Sequence, residues 1–242
     1  IRKDSFTLEN YAKLFHSATA YKPYLVSIVY SFLAALIVAV ICIVVARIVT
    51  KVKHKYDKLF EPFILIPWLM PSTMIALGLM LTYDEPRFVL AEKVLVATPV
   101  IMLLAYIIIK IPFSYRMIRA GFIGLDGNME EAAQVMGAKP FYTMRKVILP
   151  IIMPVVLSVV VLNFNGLLSE YDLSVFLYHP AFQPLGIVIK QATDETATTD
   201  AQAMAFVYTV ILMIISTIAL WLGRYDGIGK IKSFFTKKEK RG

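Results

Sequence analysis

Residues 25–49, LVSIVYSFLAALIVAVICIVVARIV, contain one charged side chain, Arg47. A helix needs about 20 consecutive apolar residues to cross a bilayer, and this run is long enough. Four further apolar runs follow, at about 62–83, 94–111, 148–168 and 204–222. No soluble domain can hide that many apolar faces, because surface patches of such size drive association. In lipid the backbone has no water to bond with, so each run must close its own hydrogen bonds as a helix. The sequence therefore predicts an all-α class: a polytopic membrane helix bundle with five visible spans. Composition agrees, with 58% hydrophobic residues, 17% charged residues and a mean hydropathy of +0.68; soluble proteins carry about 25% charged residues. Prolines at 62, 67, 71, 99, 150 and 154 predict kinks, which neighbouring helices can accommodate. A kinked bundle is expected to surround a path rather than act as a plain anchor.

Orientation follows from the cations. Arg47, Lys51, Lys53, Lys55 and Lys58 follow the first span, and Lys110, Arg116, Arg119, Lys139, Arg145 and Lys146 follow the third. Arg224, Lys230, Lys232, Lys237, Lys238, Lys240 and Arg241 occupy the tail at 223–242. The opposite side has few cations and several acids, Asp84, Glu85, Glu170, Asp172, Asp194, Glu195 and Asp200 among them. The basic side is thus expected in the cytoplasm, with the first 24 residues outside and the C-terminus inside. The pI of about 9.4 then needs no nucleic-acid partner. Cys42 is the single cysteine, so no intrachain disulfide or cysteine-based metal cluster is expected. His16, His54 and His179 are scattered and no HExxH occurs, so no metal site is predicted. Because residue 1 is isoleucine, a processed or trimmed chain with something upstream is expected.

About 36 residues, 112–147, separate the third and fourth spans, more than a plain connection needs. Met129, Ala132, Ala133 and Met136 recur at helical spacing and predict one apolar stripe on a short helix. Asp126 and Asn128 are N-cap candidates, and Glu130 and Glu131 suit the positive end of the dipole. Gly137 is placed for a left-handed cap. Pro140 can open a second helix, which should run through Arg145 and Lys146 into the fourth span at Leu149–Pro150. A helix this short is marginal in water, so its stripe needs a partner surface, either in this chain or in another protein. Helix–turn–helix DNA readers share the pattern, but this one is tethered to spans at both ends.

Glu131-Ala132-Ala133, three residues, Gly137, nine residues, Val147, one residue, then Leu149-Pro150 resembles the "EAA…G…I-LP" loop of permease subunits of bacterial ATP-binding-cassette (ABC) importers. Valine stands at 147 where that family usually has isoleucine. "SFTLENYAKLF" (5–15) is similar to the family's outside segment, and "NFNGLLSEYDLSVFLY" (163–178) to the stretch following its later spans. The resemblance implies a type I importer permease fold in the bacterial inner membrane, usually with six spans, so one span is expected ahead of Ile1. It also implies a second permease unit, as another copy, a separate chain or a fused half. Further partners are a dimer of ABC ATP-binding subunits, an extracytoplasmic solute-binding protein and membrane lipid. Glu130, Glu131, Ala132, Ala133, Met136, Gly137, Lys139, Pro140, Leu149 and Pro150 would form the coupling site for the ATP-binding subunit.

No catalytic site or cofactor is expected in the chain, ATP and magnesium belonging to the partner subunit. "GRYDGIGK" (223–230) has the wrong glycine spacing for a phosphate loop, and Ile231 replaces the magnesium-binding Ser/Thr. Asn163, Asn165, Ser169, Glu170 and Asp172 are candidate pathway residues, since polar groups at such depth face cavities; the alternative is that the acids mark the water boundary and cap the next helix. The stretch 171–200, with "HPAFQPLG" (179–186), is a candidate docking face for the solute-binding protein. Resemblance of the whole chain points to iron(III) as substrate, with thiamine, polyamine and phosphonate as alternatives. A self-contained secondary transporter or channel would need paired charges within the spans, and a membrane enzyme would need a catalytic constellation; neither is present in the sequence.

Overall fold

The structure is a computed structural model that describes residues 9–51, 57–86, 94–96, 98–125 and 127–223. All regular elements among these residues are helical. They are α1 (Glu9–His16), α2 (Ala18–Lys51), α3 (Asp57–Leu69), α4 (Ser72–Tyr83), α5 (Pro99–Ile123), α6 (Gly127–Val135), α7 (Pro140–Thr143), α8 (Leu149–Leu168), α9 (Ser174–Leu177), α10 (Leu185–Ala192) and α11 (Thr199–Gly223), with a π turn at Met144–Ile148 joining α7 to α8. Among the described residues four stretches are long and apolar enough to cross a membrane: 19–51, 99–123, 140–168 and 199–223. The pair α3 and α4 qualifies as a fifth, broken span. The break falls at Met70–Pro71, because Pro71 offers no N–H to the preceding turn.

Several helices outrun their hydropathy. α2 is 34 residues long, about 51 Å at 1.5 Å per residue, which exceeds a hydrocarbon layer of about 30 Å. The third span was expected to stop at 111, but α5 continues to Ile123. Its cations do not end it, because they find partners along the way. Ser114 Oγ also donates to the Lys110 carbonyl at 2.7 Å within the helix. The loop expected at 112–147 is correspondingly short. Within it only 124–139 lies outside α5 and the α7–α8 helix, and α6 fills most of that.

The described residues fall into two compact units. The first draws on 1–34, 70–107 and 164–218. Its core joins Leu14, Tyr24, Leu185, Val207 and Tyr208. Tyr24 Oη donates to the Tyr208 carbonyl at 3.0 Å, and the two rings lie 5.5 Å apart. Pro184 precedes α10 without a side-chain cap; instead Ser27 Oγ accepts from the Leu185 N–H at 2.8 Å. Gly186 brings α10 against the chain at 169–170, where an added Cβ would lie 2.7 Å from the Glu170 carbonyl oxygen.

The second unit draws on 35–69, 108–163 and 219–242. α2 buries a stripe of mostly small residues, Ala35, Val38, Ala39, Cys42 and Ala46. Small side chains let membrane helices approach closely, where packing rather than water exclusion holds them. The Cys42 thiol points to the Ile111 carbonyl at 3.7 Å, consistent with a packed thiol. α8 buries Ile152, Val156, Val159 and Asn163, again at helical spacing. Elsewhere α2 exposes Val29, Phe32, Leu36, Val40 and Ile48, the surface expected of a helix solvated by lipid.

Candidate functional site

α6 is a nine-residue helix with Glu130 in its first turn. Asp126, one of the two N-cap candidates, lies outside the described residues. Asn128 falls inside the first turn rather than ahead of it. The other end closes as the sequence predicts. Gly137 takes φ 80°, the left-handed conformation. The Ala138 N–H then reaches the Ala133 carbonyl at 2.9 Å, and the Gly137 N–H reaches Gln134 at 2.9 Å. These two bonds form a Schellman motif, which satisfies carbonyls that a helix end leaves open. Lys139 is extended, and Pro140 opens α7 as its first residue. The chain then runs without a break to Leu168.

The π turn between α7 and α8 was not foreseen. The Leu149 N–H bonds to the Met144 carbonyl, five residues back. Pro150 supplies the cause: its ring would collide with the carbonyl four residues earlier, and widening one turn relieves that contact. Leu149 is part-buried and Pro150 exposed at the start of α8.

The expected single apolar stripe on α6 is divided. Ala133 is 3% exposed and packs on this chain, whereas Met136 is 81% exposed. Ala132, Glu131, Lys139 and Pro140 are also exposed. Val135 at 88% and Phe141 at 78% join Met136 to form an open apolar surface around Gly137. Spacing alone cannot tell which member of a stripe turns inward; Ala133 does because the π turn and α7 pack against α6. Val135, Phe141 and Tyr142 were not singled out from sequence.

Glu130 fixes the inner side of α6. Its Oε1 lies 2.5 Å from Arg47 Nη2 and 2.8 Å from Lys51 Nζ, both at the end of α2. The Arg47 hydrogen bond, followed by Lys51, holds the Glu130 carboxyl below the usual carboxylate range. These residues line a cavity of about 510 Å³ with Thr50, Phe122 and Ile151. Arg47 also stands over the Phe122 ring at 6.0 Å. Arg119 of α5 pairs with Glu61 of α3 at 2.6 Å, and Arg116 lies over Trp68 at 5.4 Å. Glu131, the acid of the recognised motif, is exposed with no ion pair among the described residues.

The candidate pathway residues have mixed surroundings. Asn163 is 2% exposed, and its Nδ2 donates to Ser114 Oγ at 2.7 Å. That amide ties α8 to α5. Glu170 accepts from the Leu173 and Ser174 N–H groups at 3.0 and 3.1 Å and from Ser174 Oγ at 2.9 Å. Its carboxylate therefore caps α9, and Ser174 Oγ in turn contacts Tyr106 Oη at 2.6 Å. Asn165 is part-buried, while Ser169 and Asp172 are exposed. His179 Nδ1 accepts from the Ala181 N–H at 3.0 Å, a local turn bond. No group of three or more metal-ligating side chains occurs among the described residues. The basic tail and the stretch 224–230 lie outside the described residues.

Comparison with known proteins follows the same lines. A probable ABC transporter permease protein of Sinorhizobium fredii is 30% identical over 93% of this chain, which spans 40% of that relative's length. A putative 2-aminoethylphosphonate transport system permease protein of Salmonella choleraesuis is 25% identical over 93% of this chain and 84% of its own. The crystal structure of a bacterial ABC transporter involved in the import of the acidic polysaccharide alginate superposes with a TM-score of 0.76, covering 92% of this chain and 85% of that one at 18% identity. That likeness shows the fold, the type I importer permease arrangement. The family described as "Binding-protein-dependent transport system inner membrane component" matches residues 43–225. With that match over most of its length, the chain belongs to this family and is a permease subunit of an ABC importer.

Proposed function

We propose that α6 and the turn behind it receive the work of separate ATP-binding subunits and pass it into the membrane helices. One observation carries this reading. A nine-residue helix is held on its inner side by Ala133 and Glu130, while Val135, Met136 and Phe141 around Gly137 remain uncovered. A helix so short does not persist on its own propensity, and an apolar surface of this kind marks a docking site. When two ATP-binding subunits close on ATP, a helix lodged in each is displaced with them. The continuous backbone from Pro140 to Leu168 carries that displacement into a span. Reversing a 99:1 preference between inward- and outward-open states takes about 5.5 kcal/mol of differential binding.

In this reading the chain hydrolyses no ATP itself, and ATP and magnesium belong to the partner subunits. It works with a second permease unit and an extracytoplasmic solute-binding protein, for which residues 171–200 are the candidate docking face. The bacterial inner membrane is its site, with α6 and the C-terminus in the cytoplasm. Of the substrates expected from sequence, phosphonate draws support from the name of the Salmonella relative. A further relative, from Synechococcus elongatus, is named a sulfate transport system permease protein. Neither name, nor that of the Sinorhizobium relative, mentions iron(III), and the expectation of iron(III) gains no support from them.

The test is assembly. The permease, produced with its ATP-binding subunits, should co-purify with them and change their ATP hydrolysis, and Gly137→Trp should abolish that change while leaving membrane insertion intact. A Gly137→Trp complex with wild-type behaviour refutes the docking site. The substrate is read separately, by measuring 2-aminoethylphosphonate and sulfate binding to the cognate solute-binding protein.

A further inference from the structure

The backbone from α6 leads back into α5 and forward, through the π turn, into α8. The side chains make a further connection. Glu130 sits between Arg47 and Lys51, the last basic residues of α2, at 2.5 and 2.8 Å. The Arg47 and Glu130 side chains are only 19% and 22% exposed, whereas Lys51 is 46% exposed. Arg47 is further fixed by its position over Phe122. A carboxylate shared by two cations in a partly enclosed cavity is screened less than a surface pair.

We propose that Arg47 and Lys51 are positioning residues that clasp α6 through Glu130, so that α2 moves with the coupling helix when the ATP-binding subunits close. The inference rests on the coupling reading above for its functional meaning, but not for the clasp itself. One displacement at α6 then reaches α2 through the ion pair as well as α8 through the main chain. The main-chain route contains a widened turn at Met144–Ile148, where the hydrogen-bond ladder is least regular, and the clasp bypasses it. Arg47 makes the shorter contact and is the better buried, so it is the main hold and Lys51 the secondary one.

Spin labels at Ile48→Cys on α2 and Gly127→Cys at the start of α6, in a Cys42→Ser background, report the clasp. Ile48 is exposed, and a Cβ at Gly127 meets nothing within 4 Å. In the permease–ATP-binding-subunit complex the inter-label distance should be narrow and unchanged between nucleotide-free and ATP–vanadate states. Glu130→Gln should lower the ratio of held to released molecules about fivefold, as expected for loss of a pair between surface and buried strength. Arg47→Gln should have the smaller effect because Lys51 remains. The exchange Arg47→Glu with Glu130→Arg should restore the narrow distance, which guards against a simple folding defect. A wild-type distance that changes on ATP binding, or a distribution unmoved by Glu130→Gln, overturns the clasp. If the complex does not assemble at all, the coupling reading fails; the permease alone still shows whether Glu130 sets the distance.

Discussion

Gly137 offers a way to separate backbone conformation from surface contact. Its φ of 80° is left-handed, and an added Cβ would meet nothing within 4 Å. A side chain there costs energy only through the backbone until a partner protein covers it. For L residues that conformation costs roughly 1–2 kcal/mol, with asparagine among the few that visit it routinely. A cost of 1 kcal/mol lowers the ratio of capped to uncapped molecules about fivefold, and 2 kcal/mol about thirtyfold. If the ATP-binding subunits recognise only the capped form, their apparent affinity for the permease falls with the capped fraction, by at most that factor. The series Gly137→Asn, Gly137→Ala and Gly137→Val should therefore weaken binding in that order, with valine worst because its β-branch crowds the backbone. The assay titrates purified ATP-binding subunits against the permease in nanodiscs and follows association and ATP hydrolysis. A valine variant that binds like the glycine parent, or an asparagine variant weaker than alanine, refutes the reasoning. The second outcome would mean that side-chain size at the partner surface, not the cap, decides.

Gly186→Ala should lower the thermal stability of the purified permease by about 1–3 kcal/mol, as overpacking does, because its Cβ would meet the backbone oxygens of Ser169 and Glu170 at 2.8 and 2.7 Å; an unchanged melting temperature would contradict that close approach. Asn163→Ala should cost about 0.6–1.7 kcal/mol of stability, the range of side-chain hydrogen bonds between membrane helices, since its amide is engaged with Ser114. A variant that keeps its stability yet loses transport would instead place Asn163 on the solute path. The Glu130 carboxyl titrates below its ordinary value of 4.5, chiefly through Arg47 and then Lys51. Stability from a lowered carboxylate pKa is full above the unfolded value and is lost only as pH falls through the folded one. The inter-label distance across the clasp should thus be flat from about pH 8 to about pH 5.5 and release only below the ordinary carboxylate range; release near neutral pH would contradict the assignment.

The sequence made the membrane helices legible because apolar run length is a local property. It also carried the α6 cap, since Gly137 and Pro140 impose backbone geometry on their immediate neighbours whatever the tertiary context. The end of α5 was misplaced for the opposite reason. Arg116 and Arg119 look like loop residues until Trp68 and Glu61, far away in the chain, are brought beside them. The Glu130 contacts were hidden in the same way, Arg47 lying 83 positions earlier. Cations counted only as topology markers turned out to hold α6. Asn163 and Glu170 show the limit at individual polar residues: composition indicates that a buried amide or carboxylate needs partners, not whether those partners are helices or a passing solute.

The widened turn ahead of α8 also sets an azimuth. Each residue of an α-helix advances the side chains by about 100°, so one additional residue in a single turn rotates everything beyond it by roughly that angle. Ile152, Val156, Val159 and Asn163 face inward only because Met144–Ile148 takes up that extra residue. Restoring regular winding there with the chain length unchanged would turn this row toward lipid, whereas deleting one residue would restore regular winding and leave the row facing inward. A span whose aim depends on Pro150 can thus be re-phased by changing one imino acid, without altering a single side chain in the row itself.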